Sequence, residues 1–202
     1  AAVAGLVGAG ERCGVCVRLC PRQAIDFPDR VCGEWYISDT RFGPMVHARL
    51  GTAAENSGKL VSLVRSEAKR IAEESGRSLV IVDGPPGIGC PVIASVTGSS
   101  LVVIVTEPTL SGEHYMKLVL DLARFFRIPA VVCVNRCDIN PEQAGRIEAA
   151  ARESEAEIAP RIPYDRAVTG AQVAGNTIIE FNSGAAATTV REVWKTICRK
   201  IL

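Results

Sequence analysis

Three polar residues each follow a short apolar run in the second half of this chain. Asp83 follows Leu79–Val82 and opens Asp83-Gly84-Pro85-Pro86-Gly87. Glu107 follows Leu101–Val105, inside Thr106-Glu107-Pro108-Thr109. Asn135 follows Ala130–Val134 and opens Asn135-Arg136-Cys137-Asp138. An Asp at the end of a buried strand is placed to hold Mg²⁺ beside phosphates, usually through a water. The glycines after it let the backbone approach a phosphate closely. An Asn amide offers a base edge both a donor and an acceptor. Each motif also has a plainer reading. Gly and Pro are common in strand-end turns, Thr106–Thr109 alone reads as a turn before a helix cap, and Asn135–Asp138 as a turn into the next helix. Together they point further. In an open parallel sheet ligands bind beyond the carboxyl ends of the strands, so Asp83, Glu107 and Asn135 are expected along one rim.

A second constellation is Cys13-x2-Cys16-x3-Cys20-Pro21. It matches the last three cysteines of the bacterial ferredoxin run, with Gly10 where the first would stand. In two-cluster ferredoxins the fourth cysteine, here Cys20, serves the other cluster. Cys13 and Cys16 would then be left to hold one cluster with two ligands missing. Zinc is the alternative, with Cys32 as a fourth ligand. The remaining cysteines are scattered, and Cys133 sits in an apolar run where Cys acts as a small hydrophobe. This pattern fits a reducing cytoplasm better than a disulfide framework. His47 and His114 lie far from the cysteines in sequence and read as structural.

The elements that must position these residues follow from periodicity. Residues 33–50 alternate as two strands, with Gly43-Pro44 as the expected turn. A helix is expected over 57–74, with Leu60, Val64, Ala68 and Ile71 on one face and Lys59 on the solvated side. Apolar runs at 79–82, 101–105 and 130–134 then read as neighbouring parallel strands. Helices are expected near 112–126, capped by Ser111, and 141–154, capped by Asn140 with Pro141 in its first turn. A short strand near 158–162 follows, and then a final helix from about Thr188 with Val190, Trp194, Ile197 and Ile201 on its stripe. Continuous apolar strands alternating with helices imply an α/β fold, a mostly parallel sheet with helices on both faces in three layers. The 202 residues suffice for one such domain. A net charge of +1 gives no electrostatic footprint for nucleic acid or acidic membranes. No apolar run approaches the ~20 residues of a membrane span. The Ala/Gly-rich start carries no basic residue and no Met, which reads as a fragment rather than a signal peptide.

The runs D-G-P-P-G-I-G-C-P-V-I-A-S, V-T-E-P-T-L-S-G, N-R-C-D-I-N and R-I-P-Y-D resemble the MinD/ParA-type P-loop ATPases. More narrowly, with G-E-W-Y-I-S-D-T-R-F-G-P-M-V-H-A-R-L-G and E-N-S-G-K-L-V, they resemble the branch that carries an inserted ferredoxin domain. The resemblance covers about residues 13–195. It implies a partial ferredoxin-like insertion over 1–32 and a nucleotide-binding α/β domain over 33–202. It implies Asp83 as the catalytic, Mg²⁺-side carboxylate, with Gly84, Pro85, Pro86 and Gly87 as a γ-phosphate switch. Asn135 and Asp138 would face adenine, Pro163 would pack near the base, Glu107 and Thr109 would line the rim, and Asp165 would cap the following helix. Cys13, Cys16 and Cys20 would be metal ligands. ATP, Mg²⁺ and a 4Fe-4S cluster are the implied cofactors, and a redox or iron–sulfur protein the implied partner, with a homodimer also compatible. The family often has His-Asp where this chain has His114-Tyr115, which removes any polar role of that Asp.

The chain contains no G-x-x-x-x-G-K-[ST] run. Ser57-Gly58-Lys59-Leu60 does not replace it, because it lacks the upstream Gly and follows no strong buried strand. The expectation is therefore an incomplete nucleotide domain, missing its first strand and phosphate loop, that binds ATP weakly and shows no turnover by itself. Three other functions fit parts of the sequence. A GTPase would also use N-[KR]-x-D, though with D-x-x-G rather than the D-x3-G seen here. A ferredoxin-type electron-transfer or iron–sulfur carrier protein would need four cluster cysteines. A non-catalytic remnant would only bind a partner.

Overall fold

A computed structural model describes residues 2–6, 15–25, 29–51, 57–181 and 184–201. For 2–6, 16 and 29–32 it describes the backbone alone. The chain forms two compact units, one of Ala1–Pro85 with Gly89–Ser95, the other of Pro86–Ile88 with Val96–Leu202.

The first unit is built on an antiparallel sheet ordered β1 (Ala2–Leu6), β2 (Asp29–Thr40), β3 (Gly43–Leu50). The turn between β2 and β3 is Arg41-Phe42, not Gly43-Pro44, because Thr40 and Gly43 are the last register pair. Thr40 Oγ1 fixes that turn, donating to the Gly43 carbonyl at 2.7 Å and accepting from Phe42 N–H at 3.2 Å. Gly43 closes it at φ +123°, a backbone that favours glycine. The unit also holds the short helix α1 (Val15–Arg18) and the helix α2 (Gly58–Glu74), which begins where its period predicts. Ser57 caps α2 by accepting from Leu60 N–H, and Lys59 is exposed as expected. Arg65 donates to the Ala94 carbonyl, tying α2 to α3 (Cys90–Val96).

Leu79–Val82 is not a strand. It pairs with no other backbone among the described residues, and its side chains are exposed, Ile81 at 76%. An apolar run becomes a strand only where a neighbouring edge accepts its hydrogen bonds, and no such edge is paired with it here.

The second unit carries a parallel sheet ordered β4 (Val102–Thr106), β5 (Ala130–Val134), β6 (Glu157–Ile158). Val131 to Val134 are all fully buried, as expected of a strand covered on both faces, while β4 alternates buried and exposed. Burial pushes the Cys133 thiol up to about 11, so this cysteine is a core hydrophobe. Val131, Cys133, Ala159 and Val193 form a core onto which Leu101, Ile162 and Ile197 pack.

The helices follow the 3.6-residue period. α4 (Leu110–Phe125) buries Met116, Leu120 and Ala123, and α5 (Pro141–Glu153) buries Ala144, Ile147 and Ala151. Asn140 caps α5 as expected, but Thr109 rather than Ser111 caps α4, because Thr109 holds the extended backbone a cap needs and accepts from Gly112 N–H. Two short helices follow, α6 (Arg166–Val173) and α7 (Ile178–Phe181). The last helix, α8 (Ala185–Ile201), packs through Ala186, Ala187, Val193 and Thr196. Trp194 lies one position off this stripe and is 43% exposed. Among the described residues the α/β expectation holds, with the second unit's three-stranded sheet parallel as expected and the first unit's antiparallel. Among the described residues no helix is long and apolar enough to cross a membrane.

Candidate functional site

The parallel register brings three loops to the carboxyl end of the second unit's sheet. Thr106–Thr109 leaves β4, Asn135–Asp138 leaves β5, and Ile162–Asp165 follows β6 through a parallel bridge between Asn135 and Ile162. Backbone bonds lock them together. Asn135 N–H donates to the Thr106 carbonyl at 2.7 Å, and Cys137 N–H donates to the Ile162 carbonyl at 3.1 Å.

Side chains tie the same loops. Arg136 reaches Glu107 at 3.1 Å, linking the first loop to the second. Asp138 accepts from Tyr164 N–H at 2.7 Å, linking the second to the third. Asn135 Oδ1 accepts from Arg136 N–H at 3.0 Å, which holds Arg136 in the left-handed region at φ +53°. Asp165 caps α6 by accepting from Ala167 N–H at 2.8 Å, and its other oxygen accepts from Ala186 N–H at 3.4 Å. One carboxylate therefore serves the starts of both α6 and α8. Its first bond was legible in the sequence, the second was not.

The first loop is pressed beneath α4. Thr109 Oγ1 accepts from Gly112 N–H at 2.9 Å, and Thr109 N–H donates to the Glu107 carbonyl at 2.7 Å. A Cβ on Gly112 would overlap the Glu107 carbonyl oxygen and stand 2.7 Å from Thr106 Oγ1. Gly112 is the residue of this site that sequence reasoning passed over. In the sequence it stands one residue after Ser111, the expected cap, and carries no signal of the close approach. The ion pair of Glu148 with Arg161, which leads directly into the third loop, was also missed. Glu148 is buried and accepts from Arg161 Nε and Nη2, the latter at 2.9 Å.

Of the expected site residues, Glu107, Thr109, Asn135, Asp138 and Pro163 are brought together on this rim. Asp83, Gly84 and Pro85 belong to the first unit and lie in coil, with Asp83 and Gly84 exposed. Gly84 passes close to Ser95: a Cβ there would stand 3.2 Å from Ser95 Oγ. Pro86 and Gly87 belong to the second unit, and Gly87 adopts φ +93°. His114 meets Tyr115 edge-on, and both are exposed on α4.

The cysteine motif falls largely outside the described residues: Cys13 is not among them, and Cys16 is described by its backbone in α1. Cys20 is described. Backbone N–H groups of Ala24, then Arg22, Gln23 and Ile25, hold its thiol below the ordinary value against a smaller desolvation effect. Among the described residues no group of three or more His, Cys, Asp or Glu is placed to hold a metal ion.

No protein-family model matches the chain. An uncharacterized protein of Methanocaldococcus jannaschii, MJ0578, is 31% identical over 97 residues, which is 48% of this chain and 34% of that protein. A second from the same organism, MJ0579, is 22% identical over 172 residues, 85% of this chain and 58% of that protein. The chain thus spans about a third to three-fifths of the length of these relatives. Among solved structures, the cell division ATPase MinD of Pyrococcus furiosus superposes with TM-score 0.58 at 16% identity, over 72% of this chain and 59% of that one. The septum site-determining protein MinD of Pyrococcus horikoshii, complexed with Mg-ADP, gives 0.57 at 15%, over 71% and 57%. A chain of the MinC:MinD cell division protein complex of Aquifex aeolicus gives 0.58 at 19%, over 82% and 68%. The fold of this chain is therefore MinD-like.

Proposed function

We propose that this chain carries the base-side half of a nucleotide-binding, ATPase-type domain, with ATP as its ligand. The observation that supports it most is the interlocked rim of three loops at the carboxyl ends of β4, β5 and β6, where α/β folds bind ligands. The Mg-ADP carried by the MinD of Pyrococcus horikoshii supports ATP over a ligand of another class. In this reading the Asn135 amide reads the base edge, Pro163 packs near it, and Glu107 and Thr109 line the rim. Asp138 acts by fixing the Pro163–Tyr164 backbone as well as by facing the base. The role of Asp83 as the Mg²⁺-side carboxylate rests on the resemblance alone, because the strand expected to end at it is not formed among the described residues. Gly84, Pro85, Pro86 and Gly87 form the switch segment. When bound, Mg²⁺ neutralises charge on the phosphates.

The sequence given contains no G-x-x-x-x-G-K-[ST] run, so this chain by itself should bind ATP weakly and show no turnover above background. The test is titration with a fluorescent ATP analogue, competed by ATP and by GTP. ATP should compete better than GTP, and Asn135→Ala should weaken binding about tenfold, the loss of one or two good hydrogen bonds. A GTP preference would move the reading to a GTPase. Binding indifferent to Asn135→Ala would remove the base-reading role.

A second reading is favoured by Cys20. Nearby backbone N–H groups of Ala24 and Arg22 hold its thiol below the ordinary value, which favours the form that ligates metal. Residues 1–32 would then be a partial iron–sulfur segment coupled to nucleotide state, with a redox or iron–sulfur protein as partner and a homodimer as a compatible assembly. Anaerobic reconstitution should load iron and sulfide short of a full 4Fe-4S cluster, and Cys20→Ser should abolish the loading. Binding of zinc alone contradicts an iron–sulfur role, and a stable full cluster on this chain contradicts the incomplete ligand set.

A further inference from the structure

Away from the rim, the β2–β3 hairpin carries a cluster of polar side chains. Glu34 pairs with Arg49, Tyr36 with His47, and Ser38 with Met45 in the antiparallel register. Alternation along each strand puts these residues on one face. Ser38 Oγ lies 2.9 Å from His47 Nε2. The Tyr36 ring stacks on the His47 imidazole, with centroids 5.4 Å apart and planes at 26°. The Tyr36 hydroxyl donates to the Glu34 carboxylate. That hydrogen bond, more than burial, holds the phenol above its usual value, so it remains a donor.

We propose that Ser38 is an activated hydroxyl that accepts acyl groups from reactive esters, with His47 as its base and Tyr36 as the residue that positions the imidazole. A nucleophile, a base in hydrogen-bond reach and a third group orienting the base are the arrangement that activates a serine. Ser38, Tyr36 and His47 are half-buried, so the imidazole is held by its neighbours. Met45, opposite Ser38, is 47% exposed and offers apolar surface to an acyl chain.

The step balances without a metal or an oxidant. With the imidazole proton on Nδ1, Nε2 accepts the hydroxyl proton as Oγ attacks the carbonyl carbon. An acyl–Oγ bond forms, the bond from the acyl carbon to the leaving oxygen breaks, and the leaving alkoxide or phenolate departs. The imidazolium returns its proton to the leaving group or to water. The product is an acyl-Ser38 ester.

The test uses the full chain and p-nitrophenyl acetate, following p-nitrophenolate release and locating the acetyl group by tandem mass spectrometry. Acetyl should appear on Ser38. Its rate of appearance should fall at least about tenfold in His47→Gln, the loss of a general base, and vanish in Ser38→Ala. Tyr36→Ala removes the stack on His47, so it should lower the rate by a smaller factor with the circular dichroism spectrum unchanged, whereas Tyr36→Phe keeps the stack and the rate. Urea-unfolded chain should lose the selectivity for Ser38. Acetyl confined to lysines, or Ser38 labelling unchanged by His47→Gln, overturns the proposal and leaves the hairpin a polar surface pair.

Discussion

Replacing Gly112 by Ala is expected to destabilise the protein by about 2 kcal/mol, although Ala is the better helix former by about 1 kcal/mol. The added Cβ would overlap a backbone carbonyl, that of Glu107, and crowd Thr106 Oγ1, which stands 2.7 Å from its ideal position. A carbonyl cannot swing aside as a flexible side chain can, so the Thr106–Thr109 loop must shift away from α4. That shift pulls on the Glu107–Arg136 pair and on the Asn135–Thr106 backbone bond, so the rim should loosen with the loss of stability. Gly145 is the matched control. It lies inside α5 with nothing within 4 Å of a Cβ, so Gly145→Ala should stabilise by about 0.5–1 kcal/mol. Urea denaturation of the two variants should give shifts of opposite sign. Shifts of the same sign contradict the close approach at Gly112.

Arg161→Ala should be comparably costly, and it should also change the response to acid. Glu148 is buried and its carboxylate is met by Arg161 and by Arg152, the latter at 3.2 Å. Removing Arg161 leaves the carboxylate with one partner, Arg152, which is 61% exposed. A fully buried broken pair costs about 3–5 kcal/mol. Arg161 is 38% exposed, so solvent screening reduces the expected loss to about 2 kcal/mol. The Arg161 hydrogen bonds hold the Glu148 carboxyl below its ordinary value against desolvation. A lowered folded value means that this stability is fully present above the ordinary carboxylate range and is lost as pH falls through the lowered value. In Arg161→Ala desolvation is less opposed, so the carboxyl rises and acid unfolding should begin at higher pH. Equal acid midpoints for the variant and the parent contradict this role.

Much of the second unit was legible because its signals are local. β4 and β5 are apolar runs of strand length, and α4 and α5 repeat their apolar residues at the helical period. Asn140-Pro141 announces its helix. The choice of Thr109 over Ser111 turned on backbone conformation, since both types cap well and only one stands in extended backbone. Leu79–Val82 shows the limit of composition: the run is as apolar as β5, but strand formation depends on a partner edge that the run does not encode. Trp194 shows a related limit, because α8 packs through small residues whose close approach outweighs the reach of a large ring. Glu113, bonded to Lys117 within α4 and to Gln143 of α5, and Glu148 carry no signal in the sequence that separates them from other helix charges. Their burial depends on which faces meet. At the site, Asn135 and Glu107 were visible by their place after strands. That the third loop would follow β6, with Asp138 gripping Tyr164, depends on a bridge between residues 27 apart in sequence.

The central claim is that the rim of the second unit binds the base of ATP. The most direct measurement is a titration of ¹⁵N-labelled chain with MgATP, followed by amide chemical shifts. The account predicts that the amides of Thr106, Glu107 and Thr109, of Asn135 to Asp138, and of Ile162, Tyr164 and Asp165 shift together at one apparent affinity, and that Asn135→Ala weakens that affinity. Shifts confined to other parts of the chain, or none at MgATP concentrations in the millimolar range that weak binding requires, about −4 kcal/mol, would contradict it.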